Sequence, residues 1–454
     1  MLMAEQTLLH AVRFADLTKW SPNVSVFDQM QTNDPLVPLT KLLTRAKVPV
    51  DVEDDQLYKR ITVRLYGQGV LQRDQIYGKS IGTKKQFIAH TGQLIISRID
   101  ARNGAFGIVP EELDGGIVTN DFWLFDVQNV LPQYLILVLS SELFQRHWQA
   151  QSSGTTNRQR VSENDFLYSK IALPSLEKQQ SLLDKYNNVS EQACKSEYDA
   201  AALEQEVDRY LYDVLGIHRR NAPENKTLLT LAAFKDISQW GYDKIALPFP
   251  FAFKKYQAYS FYTKPSWLRE IYRGKSPKYC STGTSIILNQ KCNRMDYIDL
   301  TYAKNVESAW VNGIDPKYFT QKGDILLNST GEGTLGRASL VTDKCSHLLY
   351  DSHMLLLRVN EHEVVPQLLV DLINSSFGQK QVEICKSAQA TKQTELGIKN
   401  AKKILFPLPE LSLQNEISAV VQEKKQQIRA LRSNAEKLRQ YAKEEFEKAV
   451  FGSI

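Results

Sequence analysis

Two stretches of the chain place apolar or small residues at alternating intervals of four and three over ten positions, which predicts two long helices with one packed stripe each. In the first, positions 182, 186, 189, 193, 196, 200, 203, 207, 210 and 214 hold Leu, Tyr, Val, Ala, Ser, Ala, Leu, Val, Tyr and Val. Adding 235 to each number reads Ile, Val, Lys, Ile, Leu, Ala, Leu, Ala, Glu and Ala, so the stripe repeats with two charged interruptions, Lys424 and Glu445. Its larger apolar members are Leu182, Val189, Leu203 and Val207 in one helix and Ile417, Val421, Ile428, Leu431 and Leu438 in the other. Pro174 and Pro409 precede the helices, and Gly216 and Gly452 stand where they should stop. Helices of about 40 residues run about 60 Å. Equal length and register favour seams that face each other over seams that each lie on a local core. The small residues Ala193, Ser196, Ala200, Ala435 and Ala442 permit close approach. Tandem halves related by a rough two-fold make such a pair antiparallel.

Shorter patterns fill the sequence ahead of each helix. Apolar and β-branched runs at 94–96, 116–118, 123–125, 325–327 and 354–359, bounded by Gly, Asn and Asp, predict strands. Residues 131–144 and 365–377 predict amphipathic helices that open near a proline. The whole plan occurs twice. Phe14-x-Asp16-x-x-x-Trp20 returns as Phe234-x-Asp236-x-x-x-Trp240, Gly92-Gln-Leu-Ile-Ile-Ser97 as Gly323-Asp-Ile-Leu-Leu-Asn328, and Leu131-Pro132-Gln133 with Gln145 as Val365-Pro366-Gln367 with Gln379. Order is kept while spacing drifts, the mark of a duplicated domain. The expected fold is α+β: two tandem mixed α/β domains at 1–173 and 218–407, each followed by a long helix, at 174–217 and 408–454.

A chain of 454 residues suffices for about two or three domains. A net charge of +5 permits a nucleic-acid partner without demanding one. The five cysteines form no C-x-x-C pair, which argues for a reducing, cytoplasmic setting and against a zinc ribbon. No basic n-region leads into an apolar stretch at the N-terminus, and no run of about 18 apolar residues occurs, so neither a signal peptide nor a membrane span is expected. Catalytic signatures are missing too. Gly331-Glu-Gly333-Thr-Leu-Gly336 fits G-x-G-x-x-G, but the strand-like Arg337-Ala-Ser-Leu follows where a dinucleotide site needs a helix, so a tight turn between strands is expected. Cys345, His347 and His353 lack a fourth ligand at a recognisable spacing, and no metal site is expected. Neither an Asn-Pro-Pro-Tyr tetrapeptide nor a Gly-x-Ser-x-Gly elbow is found. The expected role is recognition or scaffolding, with no catalysis and no cofactor in this chain.

Polar loops occur at corresponding places in the two halves. The first half offers Arg98, Arg102 and Asn103, then Thr155, Thr156, Asn157, Arg158 and Arg160. The second offers Ser329, Thr330, Glu332 and Thr334, then Gln389, Thr391, Lys392 and Gln393. Such side chains bond base edges and phosphates: Arg reads guanine bidentately, Asn and Gln read adenine, and hydroxyls serve either purpose. Lys79, Lys84 and Lys85, and Arg273, Lys275 and Lys278, add backbone charge. Similar places with different letters are what two modules reading different sequences require, and also what neutral drift produces.

At the junctions, Ile171-Ala-Leu-Pro-Ser-Leu-Glu-Lys-Gln-Gln180 and Leu405-Phe-Pro-Leu-Pro-Glu-Leu-Ser-Leu-Gln-Asn-Glu416 resemble the I-P-L-P-x-x-x-E-Q opening of the helical spacers in the specificity (S) subunits of type I restriction–modification systems. The usual Glu-Gln is matched to Gln179-Gln180 once and to Asn415-Glu416 once. Gly323-Asp-Ile-Leu326 with 329–336, and Ser153-Gly-Thr-Thr156 with Val161, resemble two further stretches of that family. The resemblance spans essentially the whole chain. It implies two target recognition domains, each reading one half of a bipartite DNA site, and spacer helices that pair as an antiparallel coiled coil with pseudo-two-fold symmetry and set the gap between half-sites. It also implies two methyltransferase subunits using S-adenosylmethionine, and two restriction–translocation subunits using ATP and Mg, in defence against foreign DNA. Open alternatives are the specificity subunit of a type IIB-like enzyme that cuts on both sides of a split site, a coiled-coil scaffold that does not touch DNA, and an enzyme with an unrecognised site.

Overall fold

The computed structural model describes residues 32–65, 67, 69–151, 162–220, 249–388 and 394–452, without side chains at 102, 149–151 and 388. The chain divides into two compact units, Met1–Ser196 with Ser433–Ile454, and Glu197–Arg432. Each long helix, Leu176–Leu215 and Leu411–Phe451, runs through the boundary and gives one half to each unit.

The two units are built on the same sheet. In the first, four antiparallel strands lie in the order Leu43–Ala46, Phe122–Val127, Leu94–Ser97, Phe106–Ile108. In the second the order is Leu268–Arg273, Met354–Val359, Ile325–Asn328, Ala338–Leu340. The register repeats as well: Leu94 faces Phe125, and Ile325 faces Leu357. Alternation of side chains then splits each central pair between two layers. Leu94, Ile96, Trp123 and Phe125 pack on the helices Pro132–Ser140 and Glu142–Gln151, while Ile95 and Leu124 pack on a second sheet of five strands. In the second unit Ile325, Leu327, Leu355 and Leu357 face the helices Pro366–Asn374 and Ser376–Cys385, and Leu326 and Leu356 face the other way, towards the layer that holds a three-stranded sheet. Burial on both faces explains why these strands read as continuous apolar runs. The units differ mainly in that outer sheet.

Each helix expected at 131–144 and 365–377 is instead two helices that break at a serine. The Ser141 hydroxyl donates to Val138 O (2.6 Å) and accepts from the Phe144 N–H (3.2 Å); Ser375 does the same with Leu372 O (2.6 Å) and the Gly378 N–H (3.3 Å). One hydroxyl thus serves the carboxyl end of one helix and the amino end of the next.

The junction glutamine that acts is Gln179 in the first half and Gln414 in the second, 235 positions on, so the second junction aligns one residue earlier than its Asn415-Glu416 match. Both are about 1% exposed. Gln179 accepts from the Leu131 N–H (2.9 Å) and donates to Pro174 O (2.9 Å). Gln414 accepts from the Val365 N–H (2.9 Å) and donates to Pro409 O (2.9 Å) and Glu363 O (3.0 Å). Each glutamine fastens a long helix to the start of a domain helix. Gln414→Ala leaves these buried groups unpaired and is expected to destabilise the second unit by about 1–3 kcal/mol, measured by hydrogen exchange at residues 363–374.

Within each unit the two long helices run antiparallel. In the first, Tyr186 stacks edge-on with Phe446 (6.1 Å) and the Asn434 amide donates to Ser196 Oγ (3.2 Å). In the second, Lys424 pairs with Glu206 (2.7 Å) and Arg432 with Glu204 (2.9 Å), so the charged interruption at 424 is answered across the seam. Leu182, Val207, Ile417, Val421 and Ile428 are buried; Val189, Leu203, Leu431 and Leu438 are half-buried. Towards the end of the second helix the buried stripe leaves the heptad positions. Glu445 and Ala449 are exposed, and Phe446, Val450 and Phe451 enter the first unit's core. A helix of 3.6 residues per turn drifts about 20° per heptad from a 3.5-residue repeat, so five heptads amount to about one residue. A cavity of about 350 Å³ lies between the helices in the first unit, against Leu182, Tyr186, Val189, Tyr441, Ala442 and Phe446. Gly216 (φ +65°) and Gly452 (φ +81°) end the helices in the left-handed conformation. Among the described residues no helix is long and apolar enough to cross a membrane.

Candidate nucleic-acid interface

In the second unit, stretches far apart in sequence meet at one edge. The glycine turn 331–336 joins the antiparallel strands Ile325–Asn328 and Ala338–Leu340, with Gly331, Gly333 and Gly336 all at positive φ. Just ahead of it, Thr330 forms an isolated bridge with Glu395, and Ser329 O accepts from the Leu396 N–H (2.8 Å). Ser387–Ala388 pairs with Thr394–Glu395, which closes the base of the 389–393 segment. Glu395 also pairs with Arg273, and the backbone of Lys275 bonds Tyr350 O (3.1 Å). Thr330 Oγ1 lies 2.7 Å from His353 Nδ1, and the His353 N–H donates to Asp351 Oδ1 (3.0 Å). Burial pushes the Asp351 carboxyl above its ordinary range, against the pull of that N–H and of His353 and Lys304.

The candidate side chains differ in access. Thr330 and Thr334 are half-exposed and Glu332 is exposed. Ser329 is fully buried, with its hydroxyl unpaired, because its backbone is held on both sides by His353 O and the Leu396 N–H; a DNA contact from it requires the edge to open. Gln389, Thr391, Lys392 and Gln393 lie outside the described residues.

The first unit repeats the frame with other side chains. Arg98 follows the strand Leu94–Ser97 as Ser329 follows its strand, and its N–H bonds Asp121 O (2.9 Å) as that of Ser329 bonds His353 O (2.8 Å). Its guanidinium sits over Trp123 (5.7 Å), with Nη1 near Asn120 O (3.3 Å). Asn103 is half-buried in a tight turn closed by Gly104 (φ +71°). The Arg102 side chain and residues Thr155, Thr156, Asn157, Arg158 and Arg160 lie outside the description. Nearby, Arg45 lies over Phe125 (5.2 Å) and pairs with Glu163 (3.1 Å), and burial lowers its pKa.

Sequence reasoning missed a set of aromatic–cation pairs beside the second unit's edge. Lys275 covers Tyr318 (3.9 Å), Lys304 covers Tyr279 (4.9 Å), and Arg294 covers Tyr302 (5.2 Å). Tyr279, Tyr297 and Tyr302 are 48%, 53% and 43% exposed, so their rings are open to a partner. The available signal was the interleaving of Lys, Arg and Tyr over residues 275–304, the composition of surfaces that stack bases and hold phosphates. Among the described residues no cluster of three or more His, Cys, Asp or Glu side chains is arranged to hold a metal.

Comparison with known proteins finds a matching domain in the first half. Residues 46–195 match the type I restriction modification DNA specificity domain. The specificity subunit of the type I restriction enzyme MjaX from Methanocaldococcus jannaschii is 26% identical over 130 residues, which are 28% of this chain and 29% of that protein. The chain therefore matches under a third of that relative's length. A chain solved in a type I restriction–modification system, 15% identical, superposes with a TM-score of 0.52 over 94% of this chain and 99% of its own, and shares the fold. Residues 46–195 thus carry the match to a DNA specificity domain, the second unit repeats the same strand frame, and the chain as a whole shares the fold of that solved chain.

Proposed function

We propose that the chain is a DNA sequence-specificity subunit that reads a two-part site, one half-site per recognition domain, and docks catalytic partners. The observation that carries this reading is one strand-and-turn frame built twice with different side chains at its rim: Arg98 beside Trp123 in the first unit, Thr330 beside His353 in the second. A fixed frame with exchangeable rim residues lets two domains read different bases in similar poses. The chemistry belongs to other subunits. Two methyltransferase subunits supply S-adenosylmethionine-dependent methylation of a flipped adenine, and two restriction–translocation subunits supply ATP- and Mg-dependent cleavage. The chain contributes address rather than catalysis.

Exchange of residues 1–173 for the corresponding domain of a relative, with the chain expressed beside its neighbouring methyltransferase gene, is expected to change one half of the methylated motif and leave the other half intact. Genome-wide mapping of methylated adenines reads the result; changes in both halves reject one domain per half-site. Purified alone, the chain is expected to bind DNA with an affinity that falls steeply with salt and to methylate nothing. Salt-independent binding, or none, favours the scaffold.

A further inference from the structure

The second unit holds a strained, firmly anchored loop at residues 293–298. Met295 sits at φ +77°, a conformation that side-chain-bearing residues seldom adopt and that persists only where surroundings impose it. The anchors are visible. Asn293 is fully buried, donates to Leu326 O (3.0 Å) and Arg337 O (2.8 Å), and accepts from the Ser339 hydroxyl (2.7 Å). Asn374 donates to Met295 O, and Asp296 pairs with Lys425 of the second long helix. Lys425 in turn meets Asp371, whose side chain is wholly buried (2.9 Å). Leu326 and Arg337 belong to the strand and the turn that lead into and out of the Thr330–Thr334 rim, so the loop is braced against the edge described above. What it displays outward is Arg294, exposed and lying over Tyr302, and Tyr297, 53% exposed.

Buried charges tied to a strained loop with an exposed arginine and tyrosine on its crest form a costly arrangement for a loop with no task. At the positions equivalent to Asp371 and Lys425 the first half has Leu137 and Ser190, so the anchor belongs to one domain alone. Resting on the DNA-reading role above, we propose that the 293–298 loop is a second base-reading element of the second domain, in which Arg294 and Tyr297 touch DNA and Lys425 is a positioning residue that holds the loop through Asp296. The positive charge and five-donor fork of Arg294 suit a guanine edge, and Tyr297 suits stacking or sugar contact.

The test maps methylated sites in cells that carry the full chain with its neighbouring methyltransferase. Variants are Arg294→Ala, on the surface, and Asp296→Asn, which leaves the Lys425–Asp371 pair in place. The unsubstituted chain should give a two-part motif; if it gives none, the DNA-reading role itself fails and the loop proposal goes with it. Given that motif, Arg294→Ala is expected to lower discrimination at one position of one half-site by roughly ten- to a hundredfold, with the other half-site unchanged. Asp296→Asn is expected to relax the same position by less, with thermal unfolding unaltered. An unchanged motif in Arg294→Ala overturns the proposal. So does a uniform loss at all sites, which marks a phosphate contact, and so does relaxation by Asp296→Asn at a position that Arg294→Ala leaves alone.

Discussion

Phe446→Ala is expected to destabilise the first unit by about 3–5 kcal/mol, while Glu445→Ala, one residue earlier and on the stripe that heptad spacing draws, is expected to change it by less than about 0.5 kcal/mol. The Phe446 ring is 5% exposed and packs edge-on against Tyr134 (5.7 Å) and Tyr186 (6.1 Å), so it joins the helix Pro132–Ser140 and both long helices in one core. A cavity of about 350 Å³ already lies beside it. Removing the ring enlarges that space, and neighbours on two long rigid helices have little freedom to close it. Glu445 lines the same cavity but is exposed, so its truncation gives up little buried surface. Hydrogen exchange over residues 132–140 and 435–451 measures both effects. A larger loss from Glu445→Ala than from Phe446→Ala would return the seam to the heptad positions.

That pair of variants also marks how far the sequence was legible. The seam was visible where a 3.5-residue spacing and the true helical repeat agree, from Leu182 to Val207 and from Ile417 to Leu438. It failed at 445 and 449, where drift and the pull of a domain core moved the buried face to Phe446 and Val450. The central strands were legible because burial on both faces leaves uninterrupted apolar runs. The breaks at Ser141 and Ser375 were not, because a serine inside an apolar helix pattern looks like a solvent-facing residue until its hydroxyl is seen bonding both ways. The rim loops could be listed from composition, but not their convergence. The bridge between Thr330 and Glu395 and the ion pair between Arg273 and Glu395 join residues 65 to 122 positions apart, and no local pattern encodes them. Ser329 shows the opposite limit: a residue type suited to DNA, fully buried inside the closed edge.

Lys425→Met is expected to cost the second unit about 3 kcal/mol or more, and Lys425→Met with Asp371→Asn is expected to recover most of that loss. Asp371 has no exposed side-chain surface, and Lys425 is the cation that meets it. Gln367 (2.9 Å) and Gln422 (3.1–3.2 Å) also donate to its carboxylate, so removing Lys425 leaves hydrogen bonds but no opposing charge. An amide at 371 keeps an acceptor for those glutamines and removes the stranded charge, which is why the double variant should outlast the single one. Burial pushes the Asp371 carboxyl above its ordinary range, with Lys425 holding it back. Without Lys425 the folded form binds that proton more tightly than the unfolded chain does. The penalty of Lys425→Met is therefore present above the raised pKa and shrinks as pH falls through it. Thermal unfolding of the single and double variants at two pH values reads this directly. If the double variant is no more stable than the single one at neutral pH, the cost of Lys425→Met arises from lost packing of its long side chain against the domain and not from the stranded Asp371 charge.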